Sequence, residues 1–253
     1  MMFRALSAAA LLLCVSHPHA GAAEITLWSP GAVASSLREL IPQFEQASGH
    51  KVTVHYSPAL ALVDKLKSGE VGDVALVGSS AADELIKLGK FTAGSKVVIA
   101  RVGVGVFVRR GDPKPDISSR DAFLRSVMNA KTISYSDPKL GGTAANYVGH
   151  LMGSLDVTGS IRPKTKLTPP SKPLADFVAS GGADFGLNQI TEILQDARLE
   201  LVGPLPAEIQ FYTDYAAGVM VSSQHSEIGK ALVGFLATPA ASGVMKSKGF
   251  TQF

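Results

Sequence analysis

The chain has 253 residues, 46% hydrophobic and 18% charged, proportions of a globular protein able to bury a large core in one large domain or two smaller ones. Its formal net charge of +3 is too mild and too scattered for a nucleic-acid-binding surface. Beyond the N-terminal leader no segment is long and apolar enough to span a bilayer, which takes ~20 residues, so membrane insertion is not expected.

Residues 1–23, MMFRALSAAALLLCVSHPHAGAA, combine Arg4, an apolar run from Ala5 to Val15 and small residues from Ala20 to Ala23. That is the pattern of a secretory signal peptide, and it makes the periplasm the expected location. The single cysteine, Cys14, lies inside this leader, and Leu12 and Leu13 before it are not the small residues of a lipoprotein signal. A mature chain without cysteine forms neither a disulfide nor a thiolate metal site.

Glu24–Ser29 alternates like a strand and is broken by Pro30-Gly31. Leu37, Leu40, Ile41 and Phe44 then share one helical face, with Ser35 or Ser36 as the candidate start. Val52–Tyr56 reads as a strand, Ser57-Pro58-Ala59 as a loop and Leu60–Leu66 as a helix. Asp73–Val77 reads as a strand running into Gly78-Ser79-Ser80, followed by a short helix from Asp83 to Leu88. Strands alternating with helices in this way predict a parallel sheet. Val97–Val108 is a longer β-branched run with Gly103 and Gly105, the pattern of a strand leaving one lobe for another. Asp121–Met128 is amphipathic. Ile133–Leu151 reads as strand, Ser136-Asp137-Pro138 turn, glycine loop and helix, with Gly141, Gly142 and Thr143 at the helix start. Thr165–Leu167 and Ala183–Leu187 are further strands, separated by a helix at Leu174–Ala179, and the second runs into Asn188-Gln189. Pro204 and Pro206 punctuate a return crossing before a strand at Ala216–Val221 and closing helices at Glu227–Leu236 and Ala240–Lys246.

The expected fold is therefore α/β in two lobes with a mixed, mostly parallel sheet in each and a two-crossing hinge. One lobe takes residues 24–100 plus 207–253, and the other takes 105–203.

Ligands of open α/β sheets bind at the C-terminal strand edges. The candidate binding residues there are Ser29, Gly31 and Ala32, Ser57, Ser79 with Ser80, Gly142 and Thr143 after Gly141, and Asn188 with Gln189. The first amides of a helix lack internal partners and the dipole is positive at that end, so an anion is stabilised there. Glycine allows close approach to the backbone, and the Thr143 hydroxyl suits either a cap or a ligand contact. Taken singly, each polar residue serves equally well as a cap or turn residue. Tyr212 and Tyr215 near the return crossing suit packing as well as a cleft. Arg101 and Arg109 at the first crossing suit a carboxylate pair or a solvated strand end. His50, His55, His150 and His225 have no ligand spacing, so no metal is expected, and no phosphate-loop or dinucleotide fingerprint calls for a cofactor.

In their order, ITLWSPGAVASSLREL, LVDKLKSGEVGDVAL, ISYSDPKLGGTAANY and SGGADFGLNQITEI resemble the type II periplasmic substrate-binding proteins, nearest to the molybdate-binding branch. The resemblance covers essentially the whole mature chain and implies two lobes closing over a ligand held by loop amides and hydroxyls. It departs at the ligand positions: Ala32 stands where the branch has a serine, Ser57-Pro58-Ala59-Leu60 where it has a Gly-Ser-Ser-Gly string, and Gln189 near its late tyrosine. Each missing donor to a buried oxyanion costs ~1–3 kcal/mol, which argues against molybdate and for an organic carboxylate. Two functions remain open. One is a receptor that captures a small anion for a membrane importer. The other is a small-acid isomerase on the same fold, of the aconitate isomerase kind, with His55, Tyr135, Asp137 and Lys139 as candidate bases.

Overall fold

The computed structural model describes residues 21–140, 142–168 and 173–251, apart from the side chain of Leu140. Gly141 and residues 1–20 of the expected leader lie outside the described residues. Strand β1 (Glu24–Ser29) turns inward Ile25, Leu27 and Ser29 in strict alternation, as a period of two requires. A 3-10 turn at Gly31–Val33 leads into α1 (Ala34–Ser48), which buries Leu37, Leu40, Ile41 and Phe44 and stops at Gly49 in the left-handed conformation. The units β2 (Lys51–Tyr56), α2 (Ala59–Ser68), β3 (Val74–Gly78) and α3 (Ser79–Lys87) follow. Strand β4 (Val97–Arg109) is thirteen residues long.

The second half of the chain holds α4 (Arg120–Asn129), β5 (Ile133–Ser136), α5 (Thr143–Leu155), β6 (Thr165–Thr168) and α6 (Leu174–Ala179). It continues through β7 (Phe185–Gln189), the four-residue α7 (Ile190–Ile193) and β8 (Leu199–Pro204). Strand β9 (Tyr212–Val219) and helices α8 (Ser226–Leu236) and α9 (Pro239–Ser247) close the chain.

The strands run in the order β2-β1-β3-β9-β4-β7-β5-β6, with β8 also on β4. Strand β4 serves two sheets in turn. Val97 to Gly103 pair antiparallel with β9, whereas Val104 to Phe107 pair with β7 and Gly105 to Arg109 with β8. Each lobe's sheet is mixed. The parallel pairs are β1 with β2 and β3 in the first lobe, and β5 with β6 and β7 in the second. Antiparallel pairing belongs to the strands by which the chain passes between lobes and returns.

Helices cover both faces of both sheets. In the first lobe α1, α8 and α9 enclose a core with Ile25, Leu27 and Val74, and α2 and α3 pack Leu62, Leu66 and Leu85 on the other face. In the second lobe α4 and α5 pack Phe123, Val127 and Val148 on one face, while α6 and α7 pack around Phe107 on the other. Burying one such side chain completely contributes ~1.5–3 kcal/mol. Gly186 lies under the ring of Phe107 and Gly218 under the ring of Phe91, with no room for a Cβ at either position.

At the crossing, Gln210 clamps the backbone of β4: its Oε1 accepts from Val104 N at 2.9 Å and its Nε2 donates to Val104 O at 3.0 Å. Gly103 beneath it leaves the space that this side chain uses. No single helix among the described residues is long and apolar enough to cross a membrane.

Candidate functional site

The C-terminal ends of β1, β2, β5 and β7, with β9 behind them, surround a cavity of about 460 Å³. The first lobe contributes Gly31 and Ala32, Tyr56 with Ser57-Pro58-Ala59, and Tyr215. The second contributes Ser136, the start of α5 from Gly142 to Ala145, and Asn188, Gln189 and Glu192.

Three helices begin at this cavity: α1 through its 3-10 turn, α2, and α5. The residues at their starts, Pro30, Pro58 and Gly142, make no side-chain cap, and none of them carries a side-chain acceptor. First-turn amides that no side chain occupies therefore face the space from three directions, each at a positive dipole end. Gly142 has φ of 134°, a conformation open to glycine and strained for other residues.

A hydrogen-bond chain runs along the cavity wall between the lobes. Tyr215 Oη donates to Gln189 Oε1 at 2.9 Å. Gln189 Nε2 donates to Thr213 Oγ1 at 3.2 Å, and Thr213 Oγ1 donates to Thr143 Oγ1 at 3.1 Å. Because its oxygen already accepts, Thr143 keeps its own hydroxyl proton for an acceptor in the cavity.

Glu192 is the acidic group on this wall. It sits on α7, half-buried, one helical turn after Asn188, whose side chain hydrogen-bonds the carboxyl. Burial pushes its pKa up, and the Asn188 bond offsets part of this. The same carboxyl, after burial, raises the pKa of the Tyr215 phenol. Helix α7 is held from both sides: Ile190 packs in the first lobe's core and Ile193 in the second's. A second cavity of about 560 Å³ adjoins the first and shares Gly31, Ser136, Asn188 and Glu192 with it. Its further wall includes Pro173, Gln195 and Asp196, the last held well below the usual carboxylate range by Arg198. Among the described residues no group of His, Cys, Asp and Glu is arranged to hold a metal ion.

Of the residues expected from sequence, Gly31, Ala32, Ser57, Gly142, Thr143, Asn188 and Gln189 line the first cavity. Two do not. Ser29 is fully buried with its hydroxyl donating to Pro30 O at 3.1 Å, because the alternation of β1 places it on the same inward face as Ile25 and Leu27. Ser79 opens α3 off this wall, and Ser80 lines a smaller adjoining cavity. Tyr215 both packs edge-on against Phe250 and lines the cavity. Tyr212 is about half exposed under Arg101, which grips Asp214 through two hydrogen bonds, and Arg109 pairs with Asp112. None of the four candidate bases reaches the cavity wall: His55 stacks on Trp28, Tyr135 lines a separate cavity, and Asp137 accepts from Lys139 N. Sequence reasoning missed Tyr56, Ser136 and Glu192. Glu192 had one available signal, an acid four residues after Asn188 in the segment following a ligand loop.

The family described as bacterial extracellular solute-binding protein matches residues 25–251. An aconitate isomerase from Pseudomonas sp is 31% identical over 230 residues, 89% of this chain and 86% of that one. The molybdate-binding protein ModA of Azotobacter vinelandii is 25% identical over 246 residues, 96% of this chain and 94% of that one. Among solved structures, the substrate binding domain of a putative molybdenum ABC transporter from Clostridium difficile superposes with a TM-score of 0.74 at 14% identity. It covers 92% of this chain and 100% of that one, a likeness of fold alone. The motif order, the two-lobed sheet and the match over residues 25–251 agree, and the chain belongs to the bacterial extracellular solute-binding protein family.

Proposed function

We propose that the cleft binds a small organic polycarboxylate and that the protein interconverts cis- and trans-aconitate there. The carrying observation is the convergence of three uncapped helix starts on one cavity. Each start suits a carboxylate, and three set apart around a space match a branched triacid better than the single centre of a tetrahedral oxyanion. The cavity's 460 Å³ is roughly fifteen water volumes at ~30 Å³ each, far more than a compact oxyanion fills. Ala32 and Pro58 bring no hydroxyl, and the Gln189 amide is engaged by Tyr215 and Thr213, which leaves Ser57, Ser136 and Thr143 as the small hydroxyls on the wall. The 31% identity to an aconitate isomerase supports the same substrate. Proton NMR of purified protein with cis-aconitate tests the proposal. Accumulation of the trans isomer, abolished by heat inactivation, is the expected result. Stabilisation by molybdate with neither turnover of nor stabilisation by aconitate would remove it.

A passive periplasmic receptor that hands a carboxylate to an importer is the second reading, favoured by the family match along residues 25–251. Thermal stabilisation by aconitate without any isomerisation would select it. In either case the leader pattern of residues 1–23 supports work in the periplasm.

A further inference from the structure

We infer that Glu192 is the base of the isomerisation, an assignment that rests on the isomerase reading above. Three features of its position carry it. First, the carboxyl stands where the two cavities meet, among the four residues they share. A branched triacid with its arms in both cavities carries its central carbons past this point. Second, α7 is anchored in both cores through Ile190 and Ile193, so the carboxyl is fixed on a rigid element, as proton transfer at a set carbon requires. Third, among the described residues the other titratable groups around both cavities are committed elsewhere or exposed. Tyr215 donates to Gln189, Asp196 is gripped by Arg198, which also pairs with Asp176, and Tyr56 is about half exposed.

Among the described residues no cation pairs with this carboxyl, and in a site that holds anions its charge repels the ligand it faces. Proton transfer gives it a use. Ionised Glu192 takes a proton from the substrate methylene. The C–H pair becomes a new C=C bond, and the electrons of the original double bond move to the former vinyl carbon. That carbon takes the proton back from Glu192, and no other reactant is consumed. The amides at one of the helix starts hold the carboxylate onto which charge spreads in the intermediate. Burial makes the ionised carboxylate a stronger base than an exposed one.

The test compares wild type, E192Q and E192D with cis-aconitate in D2O, following isomer ratio and deuterium incorporation by NMR, alongside thermal shift with trans-aconitate. Wild type is expected to isomerise the acid, and E192Q to lose ~10²–10⁴-fold in rate while trans-aconitate still stabilises it. E192D is expected to retain a measurable rate with a displaced acid limb of its pH profile. Turnover by E192Q within about threefold of wild type would overturn the assignment and leave the isomerase reading intact. An inert wild type that aconitate nonetheless stabilises would remove the isomerase reading and this assignment together. If E192Q is not stabilised by trans-aconitate, E192D decides: an unmoved acid limb overturns the assignment.

Discussion

The two lobes meet the cavity with different chemistry. The first presents much backbone: Gly31, Ala32, Pro58 and Ala59 bring amides or apolar surface, beside the Ser57 hydroxyl and the phenols of Tyr56 and Tyr215. The second presents Ser136, Thr143, Asn188, Gln189 and Glu192. Main-chain donors at a helix start survive every substitution except proline and tolerate many ligands, whereas side chains set selectivity and reactivity. Both lobes supply helix-start amides, and the second adds most of the small polar side chains.

The largest effect is expected where the lobes are alike. Gly186→Val drives a side chain into the Phe107 ring. The overlap should cost ~3 kcal/mol or more and lower Tm by at least ~6 °C in a thermal melt. Gly218→Val should do the same against Phe91, and a neutral result at either would break the symmetry of the two cores.

Next come second-lobe side chains. Thr143→Ala removes the hydroxyl that the Tyr215–Gln189–Thr213 chain leaves free to donate, and should weaken aconitate binding by ~1–3 kcal/mol, roughly 5- to 150-fold, in a titration. The lobe comparison then sharpens through Ser57→Ala, expected to weaken binding less than about threefold. Equal losses at the two positions would show that the first lobe also selects by side chain.

A pH series separates the lobes without ligand. Burial raises the pKa of Glu192 in the fold, so the stability tied to its neutral form is complete below the unfolded value and is lost as pH rises through the folded one. Without ligand, wild type should therefore fall behind E192Q in Tm by a few degrees at neutral and higher pH and match it in acid. Parallel curves would mean that the carboxyl ionises in the fold as freely as in the unfolded chain.

Much of the fold was legible because local pattern and tertiary outcome coincide. The alternation of Glu24–Ser29, the helical face of Leu37 to Phe44 and the overlong Val97–Val108 run each became the expected element. Strand β8 escaped notice, since Leu199–Pro204 is mostly half-buried, ends in proline and is paired through β4 alone. The reversed direction of β9 leaves no local mark at all. In the candidate site, loops at helix starts were readable as loops. The character of Glu192 was not, because it comes from burial between two lobes distant in sequence. The placement of Ser29 was readable after all: the alternation that identified the strand also turned that side chain inward.

One strand, β4, completes both sheets, pairing with β9 in its first half and with β7 and β8 in its second. The two sheets share one continuous strand, so unpairing either sheet frees half of β4 and loosens the edge of the other. The lobes are thus expected to denature as a single cooperative unit, with equal calorimetric and van't Hoff enthalpies. Stabilisation gained at the cleft is then shared by the whole polypeptide, and resistance to proteolysis should rise in both lobes when the cavity is filled.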